Sequence, residues 1–183
     1  MTRTAYFSQT RISFLDDAKR VAAYVSEHEK AETKKILKIA DDVVNQSFLF
    51  NLRWDMERTF EPVVFENQID WMHQPGDDSE WVFAFNRMRF WICLGQAYAI
   101  TGDEKYAKTF ASQLCDWVKR VKRTDTRCQK AWRSIEAGLR MEYWTKAMQY
   151  FKESPSLTEE VIDTFLSSVE EHAAFLYSVW DSY

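Results

Sequence analysis

Glycine and proline are scarce in this sequence, with four Gly and three Pro in 183 residues. Sandwiches and barrels need frequent turn residues, so this scarcity argues against an all-β fold and favours long helices with short connections. No run approaches the roughly 18 apolar residues of a membrane-spanning helix, so no membrane span is predicted. The opening residues MTRTAYFSQTRISF contain no apolar core with a cleavage site. We therefore expect a cytoplasmic chain, or a periplasmic or secreted one if a signal was removed.

Cysteine and histidine are also few, with three of each. The cysteines lack the CxxC or Cys/His spacing of metal sites, so reduced structural thiols are predicted, with no metal and no cofactor. His28 and His172 lie among charged residues, so we predict that both are solvated. His73, beside Trp71, is kept as a candidate site residue. The motifs GxGxxG, GxSxG and HExxH and the P-loop are absent.

The net charge of −4 and the pI of about 5.5 argue against a general nucleic-acid binder, which normally presents a basic face. An anionic sugar ligand is still compatible, because a local basic cleft can exist in an acidic protein. Aromatic residues make up 16% of the chain. Aromatic rings bury large areas in a core and also stack on sugar rings, so their abundance fits both roles.

Apolar periodicity predicts about six helices. Ser13 and Asp16 resemble a capping pair for the first helix, and the second begins near Glu32. Residues 82–101 are apolar nearly all round, which predicts one buried helix, and Gly95 would let a neighbour approach closely. Gly102-Asp103 predicts a tight link to an antiparallel partner. The last two helices are predicted from about Gln129 to Phe151 and from Ser156 onward. The apolar run FLYSVW lacks a breaker or cap after it, so we expect the natural protein to continue beyond Tyr183.

Residues 51–81 interrupt the helical pattern. Apolar residues are irregular there, and two of the three Pro lie in this stretch. Long structureless segments inside compact domains are uncommon and are usually functional. We predict an extended, ordered segment lying across the helices and held by five aromatic residues: Trp54, Phe60, Phe65, Trp71 and Trp81.

The helix around WRSIEAGLRMEYW (132–144) has two faces that avoid solvent. At about 100° per residue, one face combines aromatic and charged side chains, whereas another is purely apolar. The first face contains Trp132, Glu136, Arg140 and Tyr143. One interpretation is a structural Glu136–Arg140 ion pair under a packed tryptophan. The other is a cleft wall, in which arginine binds an anionic sugar and tryptophan stacks on a ring.

Asn86, Arg87 and Arg89 lie on an otherwise apolar helix. An unpaired buried charge is unfavourable, so the arginines are predicted to meet carboxylates or to line a wet cavity. Candidate partners in the irregular segment are Glu66, Asp70 and Glu80. The basic run at 119–123 favours a solvated helix end stabilised by the helix dipole, with a ligand patch as the alternative.

The stretch from Phe60 to Phe151 resembles the N-terminal region of heparinase II/III-like polysaccharide lyases. The residues that carry the resemblance are FENQIDW (65–71), Glu80-Trp81, FNRMRF (85–90), LGQAYAITGDEKYAKTF (94–110), DW (116–117) and AWRSIEAGLRMEYW (131–144). The piece LGxAYxxTGDxxYA is also similar to a tetratricopeptide repeat. No second copy occurs, and repeat modules need at least three.

The resemblance implies an all-α fold of antiparallel helical hairpins that form part of an incomplete α/α toroid. Residues 1–183 would then be a single helical domain at the N-terminus of a longer enzyme, with a C-terminal β domain as its partner. The substrate would be an anionic, uronic-acid-containing polysaccharide such as heparin or heparan sulfate, cleaved by β-elimination. The family's catalytic Asn, Tyr and His are expected beyond Tyr183, so no catalytic residue is assigned and the chain alone is expected to be inactive.

Seven residues are predicted as part of the substrate-cleft wall: Trp71, Trp81, Asn86, Arg89, Trp132, Glu136 and Arg140. Two other functions are compatible with the sequence. An α/α-toroid glycoside hydrolase would need two carboxylates across a cleft, and Asp70, Glu80 and Glu136 are available. A tetratricopeptide-like module would bind a protein instead. An incomplete arc of helices would expose apolar faces, so self-association is also predicted.

Overall fold

A computed structural model describes residues 3–9, 17–51, 59–77 and 79–180. It contains eight α-helices: α1 (Arg3–Gln9), α2 (Ala18–His28), α3 (Lys30–Val44), α4 (Glu80–Arg87), α5 (Phe90–Thr101), α6 (Glu104–Arg120), α7 (Ser134–Tyr150) and α8 (Glu159–Trp180). A 3₁₀ turn covers Thr126–Cys128. The only strands in the described ranges are β1 (Ser47–Phe48) and β2 (Val63–Val64). The all-α prediction is therefore confirmed.

Helices α5 and α6 form the hairpin predicted from Gly102-Asp103. Gly102 ends α5 with a φ of 70°, a left-handed conformation that glycine adopts without strain. The Asp103 carboxylate then caps α6 by accepting a hydrogen bond from the Lys105 backbone N–H at 2.9 Å. Because this link is so short, the two helices run antiparallel and pack against each other.

Helix α5 lies at the centre of the fold and packs against α2, α3, α6 and α7. This position explains its lack of a polar face. Gly95 lets α7 approach closely, because a Cβ atom at this position would lie 2.5 Å from Cδ2 of Tyr150. The close approach predicted at Gly95 is confirmed. No helix in the described ranges is both long and apolar enough to cross a bilayer.

The single helix predicted over residues 82–101 is wrong. The chain turns between α4 and α5 at Met88, which has a φ of 55° and is fully buried. An apolar pattern on all sides does not show where a helix bends. Here the bend is stabilised by tertiary contacts, including a hydrogen bond from the Trp144 indole to the Met88 sulfur at 3.1 Å.

The predicted start of a helix near Gln129 is also wrong. Helix α7 begins only at Ser134, and turns fill the preceding residues, with Trp132 N–H bonded to the Gln129 carbonyl at 3.1 Å. The Asp125 carboxylate caps the 3₁₀ turn by accepting from the Arg127 backbone N–H at 2.9 Å. A local cap therefore overrides the helical periodicity of the sequence.

The described part of the segment after β1 contains no helix. Strand β2 pairs antiparallel with β1, with Ser47 opposite Val64 and Phe48 opposite Val63. Farther along, Phe65, Trp71 and Trp81 all pack around the ring of Phe85. Phe60 does not anchor the segment as predicted, because 88% of its side chain is exposed. Trp54 and the Ser13–Asp16 cap lie outside the described residues.

Candidate functional site

Asn86 on α4 forms hydrogen bonds that connect three segments carrying the sequence motifs: the irregular segment, α4 and α6. Its side-chain amide donates to the Trp71 carbonyl at 2.7 Å and to the Val82 carbonyl at 2.9 Å. Its Oδ1 accepts from the Trp117 indole N–H on α6 at 2.8 Å. Asn86 is fully buried and all these contacts are short, so it holds the irregular segment against α4 and α6.

The two Asp-Trp motifs of the sequence contact each other. Asp116 of the second motif accepts from the Trp71 indole N–H of the first at 2.8 Å. Arg120 donates to the same Asp116 oxygen at 2.9 Å and to the Ile69 carbonyl at 2.6 Å. These contacts fasten residues 69–71 to the end of α6.

Glu136 on α7 is fully buried and receives two arginines. Arg87 Nη2 lies 2.8 Å from one carboxylate oxygen, and Arg133 Nε lies 3.3 Å from the other. The structural Glu136–Arg140 pair considered from the sequence is wrong for the described structure. Arg87 thus has an acidic partner in Glu136 on α7. Glu136 faces α4 because α4 and α7 pack directly together.

Arg140 bonds neutral acceptors instead. Its Nη1 donates to the carbonyls of Asn86 at 3.0 Å and Ala131 at 2.9 Å. The guanidinium carbon lies 4.4 Å from the Trp117 ring centre and 5.2 Å from that of Trp132, which are cation–π contacts. Complete burial lowers the pKa of the Arg140 guanidinium to about 9, which still leaves it charged near neutral pH.

His172 on α8 accepts the third hydrogen bond from Arg140, between Nε of Arg140 and Nε2 of His172 at 2.9 Å. The prediction that His172 is solvated is wrong, because the side chain is fully buried. Its Nδ1–H donates to the Ser168 carbonyl at 2.7 Å. Burial, reinforced by the Arg140 charge, lowers the pKa of His172 to about 3, so the ring is neutral.

We call this set of buried and half-buried residues the signature network: Trp71, Asn86, Arg87, Asp116, Trp117, Arg120, Trp132, Glu136, Arg140 and His172. His172 was missed from the sequence because Glu170 and Glu171 precede it. A usable signal was its position seven residues after Phe165, on the buried stripe of α8.

Six of the seven residues predicted to line the cleft have almost no exposed surface: Trp71, Trp81, Asn86, Trp132, Glu136 and Arg140. A buried side chain cannot contact a sugar in this conformation, although it can position another side chain that does. Arg89 is only partly buried, and its guanidinium carbon lies 5.5 Å from the Tyr143 ring centre. His73 is half-buried and packs edge-on against Phe65 and Trp81.

Arg89 and Tyr143 line a cavity of about 380 Å³ bordered by α2, α3, α5 and α7. Its wall is mainly apolar, with Ile36, Ile39 and Phe90 among its residues. An apolar lining suits a hydrophobic group better than a charged polysaccharide. This cavity is therefore the weaker candidate for binding an anionic sugar.

Residues 119–133, which we call the basic loop, comprise the last two residues of α6 and the connection to α7. Seven basic residues and one acidic residue give the loop a charge of +6, whereas the rest of the chain carries −10. Six of these cations are exposed: Lys119, Lys122, Arg123, Arg127, Lys130 and Arg133. The loop borders the signature network directly, since Arg140 bonds the Ala131 carbonyl within it.

Comparison with known proteins gives consistent matches. The family model described as Heparinase II/III N-terminus matches residues 4–183. A heparin-sulfate lyase of Bacteroides stercoris is 26% identical over 164 residues, covering 79% of this chain and 24% of that protein. One of Bacteroides thetaiotaomicron is 28% identical over 156 residues, covering 83% and 21%. The crystal structure of heparan sulfate lyase HepC from Pedobacter heparinus superposes with a TM-score of 0.71 at 24% identity, covering 89% of this chain and 28% of that one. The chain thus spans about a quarter of the length of these proteins.

Proposed function

The chain belongs to the heparinase II/III family, whose N-terminal domain it matches, and from this we propose that it is the substrate-cleft domain of a polysaccharide lyase. The proposed substrate is a uronic-acid-containing polysaccharide of the heparan sulfate kind. The curated relatives described above are named heparin-sulfate lyases, which supports this choice. A C-terminal β domain, implied by the family resemblance, would form the opposite wall of the cleft.

One observation carries the proposal: the motifs typical of the family fold into a largely buried network that borders a basic loop. Asn86 and Arg140 each bind backbone carbonyls from separate segments, so the network gives the surface above it one defined shape. The cations on that surface complement the charge of a uronate polymer. A rigid, cationic wall of this kind can bind and orient such a chain.

The proposed reaction makes a clear demand on the whole enzyme. A base removes the proton from the carbon next to the uronate carboxylate, the bond to the leaving oxygen breaks as an acid protonates that oxygen, and a carbon–carbon double bond forms. The developing negative charge must be stabilised by donors near the carboxylate. We assign binding and orientation to this chain and assign none of its residues to the proton transfer.

The test uses the natural full-length protein, with the 183-residue chain as the control. Both are incubated with heparan sulfate, hyaluronan and alginate, and the ultraviolet absorbance of the unsaturated uronate product is followed. We expect absorbance to rise with the full-length protein on heparan sulfate and to stay flat with the chain alone. Release of reducing ends without absorbance would contradict the lyase and indicate a hydrolase. No product in either assay would contradict both activities.

A further inference from the structure

The basic loop is unusually rigid for an exposed connection. The Trp132 indole N–H donates to the Val121 carbonyl at 3.1 Å, which closes the loop across its base. Successive backbone bonds then fold it tightly, from Asp125 N–H to the Lys122 carbonyl and from Cys128 N–H to the Asp125 carbonyl. Arg140 fixes the Ala131 carbonyl from below. A loop held in this way loses little conformational freedom when it binds a ligand.

The exposed cations of the loop fall into two groups. Four already have partners, three of them side chains: Arg127 pairs with Asp125, Lys130 bonds the Gln74 side chain, and Arg133 pairs with Glu136. Lys122 donates to the Val118 carbonyl at 2.7 Å. Lys119 and Arg123, four residues apart, have no ion-pair or hydrogen-bond partner among the described residues. Their charges are therefore available to a ligand.

We propose that the basic loop binds the sulfate groups of a sulfated glycan, with Lys119 and Arg123 as direct contacts. This inference rests on the proposed function and identifies which group of the substrate the surface recognises. A sulfate presents three acceptor oxygens and is ionised throughout the physiological pH range, so it suits ammonium and guanidinium donors.

Charge density favours sulfate over carboxylate. A uronate polymer without sulfate has widely spaced single charges, whereas this loop places six exposed cations within fifteen residues. Nucleic acid is a poorer match, because single-stranded nucleic acid is bound largely by stacking its bases on aromatic side chains. The loop's one aromatic residue, Trp132, is buried and cannot stack on bases.

The experiment compares a double variant, Lys119→Gln with Arg123→Gln, against a control with the same loss of charge, Lys30→Gln with Lys34→Gln. Lys30 and Lys34 are exposed on α3, away from the basic loop in sequence. Affinity of the chain is measured for heparan sulfate, for fully desulfated heparan sulfate, for hyaluronan and for single-stranded DNA, over a series of salt concentrations. Circular dichroism checks that each variant folds.

We expect the Lys119/Arg123 variant to bind heparan sulfate about five-fold more weakly, with a shallower dependence on salt. Its affinity for the desulfated glycan and for hyaluronan should match that of the unaltered chain, and the α3 control should bind heparan sulfate normally. Equal loss with sulfated and desulfated glycan, or tighter binding of DNA than of heparan sulfate, would overturn the proposal.

The outcomes also separate this inference from the function on which it rests. If the unaltered chain binds heparan sulfate but both double variants behave alike, the loop assignment fails while the lyase proposal stands. If the full-length protein yields no unsaturated product from any uronate polymer, the lyase proposal fails. Selective sulfate binding by Lys119 and Arg123 would still be measurable in that case.

Discussion

Arg140 is the residue on which the most parts of the signature network converge. It donates to the carbonyls of Asn86 and Ala131 and to His172 on α8, and its guanidinium contacts two tryptophan rings. Arginine suits this position because its planar fork offers several donors in fixed directions. Lysine has one compact donor group and cannot reach all three acceptors from the same place.

We therefore expect Arg140→Lys to lower the free energy of unfolding by about 3 kcal/mol, because carbonyls and His172 would lose their donor in the core. Urea denaturation followed by tryptophan fluorescence measures this. Arg123→Lys, on the surface of the basic loop, is the matched control and should change stability by less than about 0.5 kcal/mol. Equal effects of the two changes would mean that the network contributes little to stability.

His172 makes the stability of the fold depend on pH. Its pKa is about 3 in the folded chain and near 6.5 when unfolded, so the unfolded state alone gains a proton between these values. The stability that depends on a neutral His172 is fully present above about pH 6.5. It is lost as the pH falls toward 3, at roughly 1.4 kcal/mol of unfolding free energy per pH unit. Acid should therefore destabilise the fold through this buried, neutral ring.

The variant His172→Gln tests this, because a glutamine oxygen can still accept from Arg140 but does not titrate. Its unfolding free energy should fall more slowly than that of the unaltered chain between pH 6 and pH 4, by about 1 kcal/mol per pH unit. Denaturation curves at a series of pH values provide the comparison. Parallel curves for the two proteins would show that His172 is protonated in the folded state or accessible to water.

At the scale of elements, the contact between α5 and α7 depends on Gly95. A Cβ atom at position 95 would lie 2.7 Å from the Cβ atom of Tyr150 and 2.5 Å from its ring atom Cδ2. Because the Tyr150 Cβ atom is fixed to the backbone, rotation of the ring cannot relieve the overlap. The two helices would have to move apart. Such overpacking in a core is destabilising.

Gly95→Ala should thus lower stability by about 2 kcal/mol, even though alanine favours helix more than glycine does. Gly138→Ala in α7 is the matched control, because no neighbouring atom lies within 4 Å of its added Cβ. That change should raise stability by about 0.5–1 kcal/mol. Thermal unfolding of both variants decides the question, and stabilisation by Gly95→Ala would show that the helices can adjust.

At the scale of the whole molecule, several apolar side chains remain on the surface. On the last turns of α8, Tyr177 is 72% exposed and Trp180 79% exposed, and Val21 and Tyr24 are exposed on α2. Exposed apolar patches promote association, as the sequence also led us to predict. Self-association of the chain therefore stays a prediction, now with specific residues.

Size-exclusion chromatography with light scattering should detect a dimer or larger species that grows with protein concentration. The double variant Tyr177→Ser with Trp180→Ser should shift the chain toward monomer. Phe60→Ser, which removes an exposed aromatic from the irregular segment, is the control and should leave the distribution unchanged. A monomer at all concentrations in the unaltered chain would contradict the prediction.

The sequence by itself determined the helical class and the α5–α6 hairpin. Both follow from local physics: few turn residues, a 3.6-residue apolar period, and a Gly-Asp stop and cap that need only near neighbours. It also identified several residues of the signature network, since Asn86, Glu136 and Arg140 interrupt apolar helix faces, where a buried polar group requires a hydrogen-bonding partner.

Only the tertiary structure determined which charged and polar side chains pair with each other. Glu136 forms ion pairs with Arg87 and Arg133 rather than with its helical neighbour Arg140. His172 is buried beside Arg140 rather than solvated. Arg87 and His172 lie on α4 and α8, and sequence spacing within α7 carries no information about helices packed against it. The bend at Met88 was hidden for the same reason. The hydrogen-bond partner of a buried polar group is the group that the fold places next to it, so long-range packing determines the role of that residue.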